Sequence, residues 1–248
     1  MIVAVPKSII KEEESKRIIA IDLGVNNFAT IANNVGLNPI IIKGGILKAE
    51  NQFYNKLRAK YYGILRMGKA PNEGQFTSKK LDKLDIDRYS FIKDFSHKAS
   101  RMIITYAIVN QIDTIVIGKN KGWKNNVKMR KDSKQNFASI PYNPFISMLI
   151  YKGNEVGIKV IETEESYTSK SSFLDEDYIP TYGIDDGKKA FSGKRVSRGM
   201  YKSKDGTLIN ADVNGAFNIL RKVFPMAFGN KCFRNSGFVT NPLSLSVA

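Results

Sequence analysis

Apolar residues fall first in short runs and later at spacings of three and four. Arg17–Leu23 (RIIAIDL) is an apolar run broken by one acid and closed by Gly24, the pattern of a buried strand. Phe28–Ala32 and Pro39–Lys43 predict two further strands, with Asn33, Asn34 and Gly36 as turn residues between them. A helix is predicted from Ile46 to about Arg66, and a loop over Gly68–Thr77, which holds Pro71 and two glycines. A long helix is predicted over Asp87–Asn110, because Ile92, Phe95, Ala99, Met102, Ile103 and Tyr106 form one stripe.

The second half alternates. Asp113–Gly118 (DTIVIG) predicts a buried strand, and Lys119–Ser139 a basic, polar loop. Asn143-Pro144 predicts a helix start, with Asn as cap and Pro at the first helical position, running to about Val156. Gly157 ends it, and Ile158–Glu162 is the next strand. Residues 166–208 predict irregular structure, and Asn210–Val223 a final helix stopped before Pro225. The tail beyond Phe224 carries no clear pattern. Three meandering strands followed by strand–helix units predict an α/β fold of the ribonuclease H-like type: a mixed sheet flanked by helices.

Three acids stand at informative places in this order. Asp22 interrupts the first strand, where an ionised carboxylate costs several kcal/mol unless it has a partner. Glu165 follows a later strand, and parallel-sheet sites lie at the carboxyl ends of strands. Asp212 begins the last helix, bordering the stripe Val213, Ala216, Phe217 and Leu220; Ala216, one turn on, is small enough for close approach to the sheet. Each has a bland alternative: a turn cap for Asp22, a solvated acidic turn for Glu165, and a complement to the helix dipole for Asp212. Together they can meet at one end of a sheet, where all-oxygen donors suit hard cations such as Mg2+ or Mn2+. Two such ions about 3.5–4 Å apart can activate a water and stabilise the leaving oxygen of a phosphodiester.

Composition narrows the chemistry. The chain has one histidine and one cysteine, Cys232, which excludes a histidine-rich metal centre, a cysteine-based zinc site and an internal disulfide. No apolar run approaches the ~20 residues that span a bilayer, and no signal peptide is evident, so a cytoplasmic location is expected. The net charge of +16 favours a polyanionic partner. Basic blocks enclose an acidic one: Glu162–Asp186 holds 8 acids and one lysine, whereas Lys43–Arg101 holds 14 Lys/Arg against 6 acids. That distribution suits a metal site set in a nucleic-acid groove, although solvated faces give the same count. Lys119, Lys121, Trp123, Lys124, Lys128, Arg130 and Lys131 mix cations with an aromatic, as do Lys56, Arg58 and Lys60 with Tyr61 and Tyr62, and both groups are candidates for phosphate contact and base stacking. Ser166, Thr168 and Ser169 either orient Glu165 or cap a turn, and His97 fits a core or a functional role equally.

Several segments carry a resemblance. IAIDLGVNNFATI (Ile19–Ile31), ESYTSKSS (Glu165–Ser172) and INADVNGAFNILRK (Ile209–Lys222) resemble, in order, the three RuvC motifs of the TnpB (OrfB) family of transposon-encoded proteins. IVIGKNKGWK (Ile115–Lys124), QNF and IP within Gln135–Pro141, and DFSHKAS (Asp94–Ser100) are also similar to family segments. The resemblance covers roughly Lys16–Pro225. It implies an RNA-guided DNA endonuclease, with Asp22, Glu165 and Asp212 as catalytic ligands of two Mg2+ or Mn2+ ions and with DNA and a guide RNA as partners.

Two departures go with it. The first motif begins after only 18 residues, so a partner supplying an amino-terminal part is an expectation. The place of the family's four-cysteine zinc ribbon, residues 171–208, contains no cysteine, so no zinc is expected. The implied organisation is a short leader (1–16), a RuvC-like domain (17–170) with a helical insertion at about 46–110, the cysteine-free insertion (171–208), the final RuvC-like helix (209–224) and a tail (225–248). The alternative reading is a nucleic-acid-binding regulator, or a truncated remnant with little cleavage.

Overall fold

The structure, a computed structural model, describes residues 17–119, 140–185, 190–229 and 237–247. Its centre is a six-stranded sheet. β1 (Ile18–Leu23), β2 (Asn27–Asn33) and β3 (Ile40–Lys43) form an antiparallel meander. β4 (Thr114–Gly118) lies parallel to β1, and β5 (Lys159–Thr163) parallel to β4. With β9 (Leu243–Leu245) on β3, the order is β5-β4-β1-β2-β3-β9. This is the ribonuclease H-like arrangement that the strand and helix order predicts.

Because side chains alternate along a strand, β1 serves two layers. Ile19, Ile21 and Leu23 pack with Phe95 and Ile103 of α2 (Lys79–Val109) and with Phe145 and Leu149 of α3 (Tyr142–Glu155). Ile18 and Ala20 face the other way, onto Phe217 and Leu220 of α4 (Ala211–Val223). The same alternation turns Asp22 toward α4. At the α2–α3 side, Phe28 of β2 meets Phe95, Tyr142 and Phe145 at ring-centroid distances of 4.9, 5.8 and 4.7 Å.

α1 (Gly45–Leu65) buries only Leu47 and Asn51. Its hold on α2 is largely polar: Arg88 donates to Asn51 Oδ1 at 2.8 Å and stacks over Tyr54, whose hydroxyl donates to Asp85 at 2.6 Å.

Four expectations are corrected. α2 begins at Lys79, eight residues before the predicted start, with the Ser78 side chain accepting from the Leu81 N–H. Only Leu81 is buried in its first turns, so an apolar stripe could not reveal them. α3 begins at Tyr142 with Pro141, not Asn143, at the cap; Pro144 fits inside the first turn because the N–H it lacks has no helical acceptor there. The insertion is not wholly irregular: β6 (Lys194–Ser197), β7 (Met200–Lys202) and β8 (Leu208–Asn210) form an antiparallel sheet. Finally, the tail carries α5 (Gly237–Thr240) and then β9, and its Val239 and Val247 are buried.

Asp175 and Asp177 gather the insertion. Asp177 accepts from the backbone N–H groups of Ser172 (2.8 Å) and Ser192 (3.0 Å). Asp175 accepts from the Ser172 hydroxyl (2.6 Å) and from the N–H of Lys204 (2.9 Å). Two carboxylates thus tie together chain segments that are remote in sequence. Among the described residues, no helix is long and apolar enough to cross a membrane.

Candidate active site

Asp22 lies near the carboxyl end of β1, on the sheet face covered by α4. Two glycines make room for the acids. At Gly215, one turn into α4, a Cβ would stand 2.6 Å from Asp22 Oδ2. At Gly118, the last residue of β4, a Cβ would stand 2.5 Å from Glu165 Oε2. Any larger residue at either position would displace a carboxylate. The close approach of α4 to the sheet at Asp22 therefore depends on Gly215 rather than on Ala216, which is buried in the core beneath.

The other two predicted acids both bear on Asp22. Burial, and then the neighbouring charges of Glu165 and Asp212, hold the Asp22 carboxyl well above the usual carboxylate range, with Arg195 acting in the opposite sense. Burial and the adjacent Glu164 push Glu165 up to about 7, against the pull of Lys222. Both residues are half-buried rather than enclosed. Asp212 is nearer the rim. Its Oδ2 accepts from the Asn27 side-chain amide at 2.7 Å, and its Oδ1 lies 3.6 Å from the Arg195 guanidinium.

The frame around these acids comes from several elements. Asn210 caps α4, accepting from the N–H groups of Asp212 and Val213, and so fixes where Asp212 leaves the helix. Asn27 stands at the start of β2, where the register with β3 shifts; Lys43 donates to its Oδ1 at 3.4 Å. Tyr142 donates its hydroxyl to the Gly24 carbonyl at 2.7 Å, bracing the turn between Asp22 and Asn27. Beside Glu165, Lys222 binds the Glu164 carboxylate and donates to the carbonyls of Ser166 (3.0 Å) and Pro180 (3.2 Å). The buried amides of Asn214 and Asn218 hold Ser171, Phe173 and Thr168 by their backbones. The Thr168 hydroxyl bonds the carbonyl of Glu165, not its carboxylate, so it caps the turn.

The donor set is oxygen-only and carries up to three negative charges, and a cradle sized by two glycines surrounds it. These features fit hard divalent cations. Among the described residues, however, no group of three or more His, Cys, Asp or Glu side chains is already arranged around one ion position. A fit therefore requires side-chain movement among the acids.

The other predicted residues are dispersed. Lys56, Arg58 and Lys60 are exposed on α1. Lys56 and Lys60, four residues apart, share a face, while Arg58 lies about 200° round from Lys56. Lys119 pairs with Glu162 at 2.7 Å. Lys121, Trp123, Lys124, Lys128, Arg130 and Lys131 lie outside the described residues. His97 sits on α2, away from the carboxylates.

The sequence reading missed Asn27, Arg195, Lys222 and the two glycines. Gly215 did leave a signal, since a glycine inside a helix costs about 1 kcal/mol and calls for a packing reason. Arg195 left none: its neighbourhood depends on the fold of the insertion.

Comparison with known proteins agrees with this architecture. A family model described as OrfB_IS605, "Probable transposase", matches residues 1–124, and one for the Cas12f1-like TNB domain matches residues 142–219. The TnpB-like protein ORF457 of Acidianus two-tailed virus is 25% identical over 222 residues, 86% of this chain and 43% of the viral protein. The fold is similar to that in a Cas12f1–sgRNA–target DNA complex (TM-score 0.53, 20% identity, 88% of this chain, 51% of that one). It is also similar to that in a CRISPR–Cas12f ternary complex (TM-score 0.58, 18% identity, 88% of this chain, 40% of that one). The chain thus spans about half or less of the length of each of these relatives. With a family model matching half its length, this chain belongs to the OrfB family of IS605-type transposon proteins.

Proposed function

We propose that the chain is the nuclease unit of a nucleic-acid-guided DNA endonuclease, with Asp22, Glu165 and Asp212 as ligands of two Mg2+ or Mn2+ ions. The observation that carries this reading is the placement of Asp22 against Gly215 and of Glu165 against Gly118, with the charges of Glu165 and Asp212 both bearing on Asp22. Bound there, the ions would supply an activated water and charge stabilisation for the leaving oxygen of a phosphodiester. The protein's own share is positioning. Asn27 and Arg195 orient Asp212 from two sides, and Lys222 fixes the turn that presents Glu165. Tyr142 stiffens the turn after Asp22. Gly215 leaves no side chain between Asp22 and α4.

The partners are DNA and a guide RNA. The chain's basic excess and the guide RNA and target DNA named for the similar complex support that reading. Lys56 and Lys60 on one face of α1 are suited to follow a phosphate backbone, as are the cations of 119–131.

The test is cleavage of end-labelled single-stranded DNA in Mg2+ or Mn2+, with and without EDTA. Metal-dependent cutting supports the reading. Tight, salt-sensitive binding without turnover supports the second reading, a binding regulator. The half-exposed place of Asp212, 3.6 Å from Arg195, is the observation on the side of that second reading.

A further inference from the structure

The segment Asp94–Ser100 (DFSHKAS) plays no part in the carboxylate site. It lies in the middle of α2, where it meets the later turns of α3. Together they line an open groove of about 550 Å3 formed by His97, Lys98, Arg101, Met102, Tyr151 and Lys152. Tyr142, at the first turn of α3, belongs to the carboxylate end of the sheet. Tyr151 lies nine residues further along, roughly 13 Å down the helix axis. The groove is therefore a separate place on the molecule.

Its chemistry is one-sided. Among the described residues, three of the six that line it are cations and none is an acid. Lys152 is unusual: the residue is 4% exposed, yet among the described residues its ammonium donates to neutral oxygens, the His97 carbonyl at 3.0 Å and the Ser100 hydroxyl at 2.7 Å. A lysine carries three N–H donors; two are used in these bonds, and the ammonium also lies 5.9 Å from the centre of the Tyr151 ring. Burial and the proximity of Arg101 both disfavour its charge, and only Glu155, outside the lining, favours it. A buried ammonium without a carboxylate on it gains from an anion. At the surface, Lys98 has an exposed pairing with Asp94, which a phosphate can replace at little cost. Tyr151 is 43% exposed beside these cations, offering a ring on which a base can stack.

We propose that this groove between α2 and α3 binds the phosphodiester backbone of a nucleic-acid strand, Lys98, Arg101 and Lys152 holding phosphates and Tyr151 a base. It extends the nucleic-acid reading to a second place on the molecule and does not depend on cleavage. It also gives the DFSHKAS segment a role: His97 and Ser100 seat Lys152, and Lys98 reaches the strand.

His97 is the only histidine in the chain, so its ring signals in a 1H–13C spectrum report on this groove alone. The experiment titrates 13C-histidine-labelled protein with a single-stranded DNA or RNA 12-mer. Inorganic phosphate is titrated in parallel, and the same series is run on K98Q/R101Q. Both substituted side chains are exposed, so the fold is kept, and a thermal melt checks it.

The expected result is a saturable shift of the His97 signals with the oligonucleotide that is lost in the double variant. In salt titrations, the slope of log K against log salt should become shallower by about 1.4, two phosphate contacts at about 0.7 each. His97 signals that stay put at saturating oligonucleotide, or that move equally in K98Q/R101Q, would overturn the proposal. So would signals that move with inorganic phosphate alone, which would reassign the groove to a small anion. Silent His97 signals together with intact DNA cleavage would sink this inference and leave the nuclease reading standing.

Discussion

Asp22 and Gly215 are in contact: the carboxylate oxygen of the first occupies the volume that a β-carbon on the second would need, at 2.6 Å. Gly215 to Ala should therefore separate stability from activity. Removing a helical glycine stabilises by up to about 1 kcal/mol, which offsets the local clash. Moving a reacting group by about 1 Å costs on the order of 100-fold in rate. The expected outcome is a melting temperature within a few degrees of wild type and cleavage reduced about 100-fold. Full activity in G215A would show that Asp22 can work elsewhere.

Glu165 sets a pH dependence. Its folded-state value of about 7 lies above its ordinary 4.5, so the folded chain holds that proton more tightly than the unfolded one. Its contribution to stability is fully present below about 4.5 and is lost as pH rises through about 7. In metal-free protein, E165Q should therefore gain in melting temperature relative to wild type on going from acid to alkaline buffer. Divalent-ion affinity should run the other way, rising through neutrality as the carboxyls ionise. Thermal melts with and without Mn2+ across that range check both signs.

Lys222 to Met should destabilise the fold and slow cleavage. The substitution leaves the Glu164 carboxylate and two carbonyls without their donor in a mostly buried place. The expected cost is about 1–3 kcal/mol, because one partner of the pair is partly exposed. That corresponds to a fall of roughly 2–10 °C in melting temperature for a chain of this size. A double-mutant cycle with E164Q should show coupling, since the two side chains share one interaction.

The insertion should keep its shape in a chelator. Its strands are gathered by Asp175 and Asp177, which accept backbone N–H groups directly. Hydrogen-exchange protection over Lys194–Lys202 should be unchanged by EDTA and should fall in D177A. Protection lost on chelation would show that metal holds this region.

How much of this was legible in the sequence follows from what each element depends on. β1, β2 and β4 are short apolar runs whose burial decides their conformation, and their patterns showed them; β5 is half-buried or exposed throughout and showed through Val160 and Ile161 after the helix-ending Gly157. The start of α2 was hidden because its first turns face solvent. β9 was hidden because a three-residue edge strand is specified by its pairing with β3 rather than by its own composition. The three acids could be read because each interrupts or ends an apolar pattern. Arg195 and Asn27 could not, since a long-range contact to Asp212 leaves no periodic trace. The predicted cations Lys121, Lys124, Lys128, Arg130 and Lys131 lie outside the described residues.

The central claim is that Asp22, Glu165 and Asp212 together hold divalent ions. Its most direct test is Mn2+ titration followed by electron paramagnetic resonance, at alkaline pH and with an uncleavable phosphorothioate oligonucleotide present, on wild type beside D22N. Two ions should bind each wild-type chain, and D22N should lose them or bind them markedly more weakly. A wild-type chain that takes up no Mn2+, or a D22N chain that binds it equally well, would rule out this carboxylate metal site.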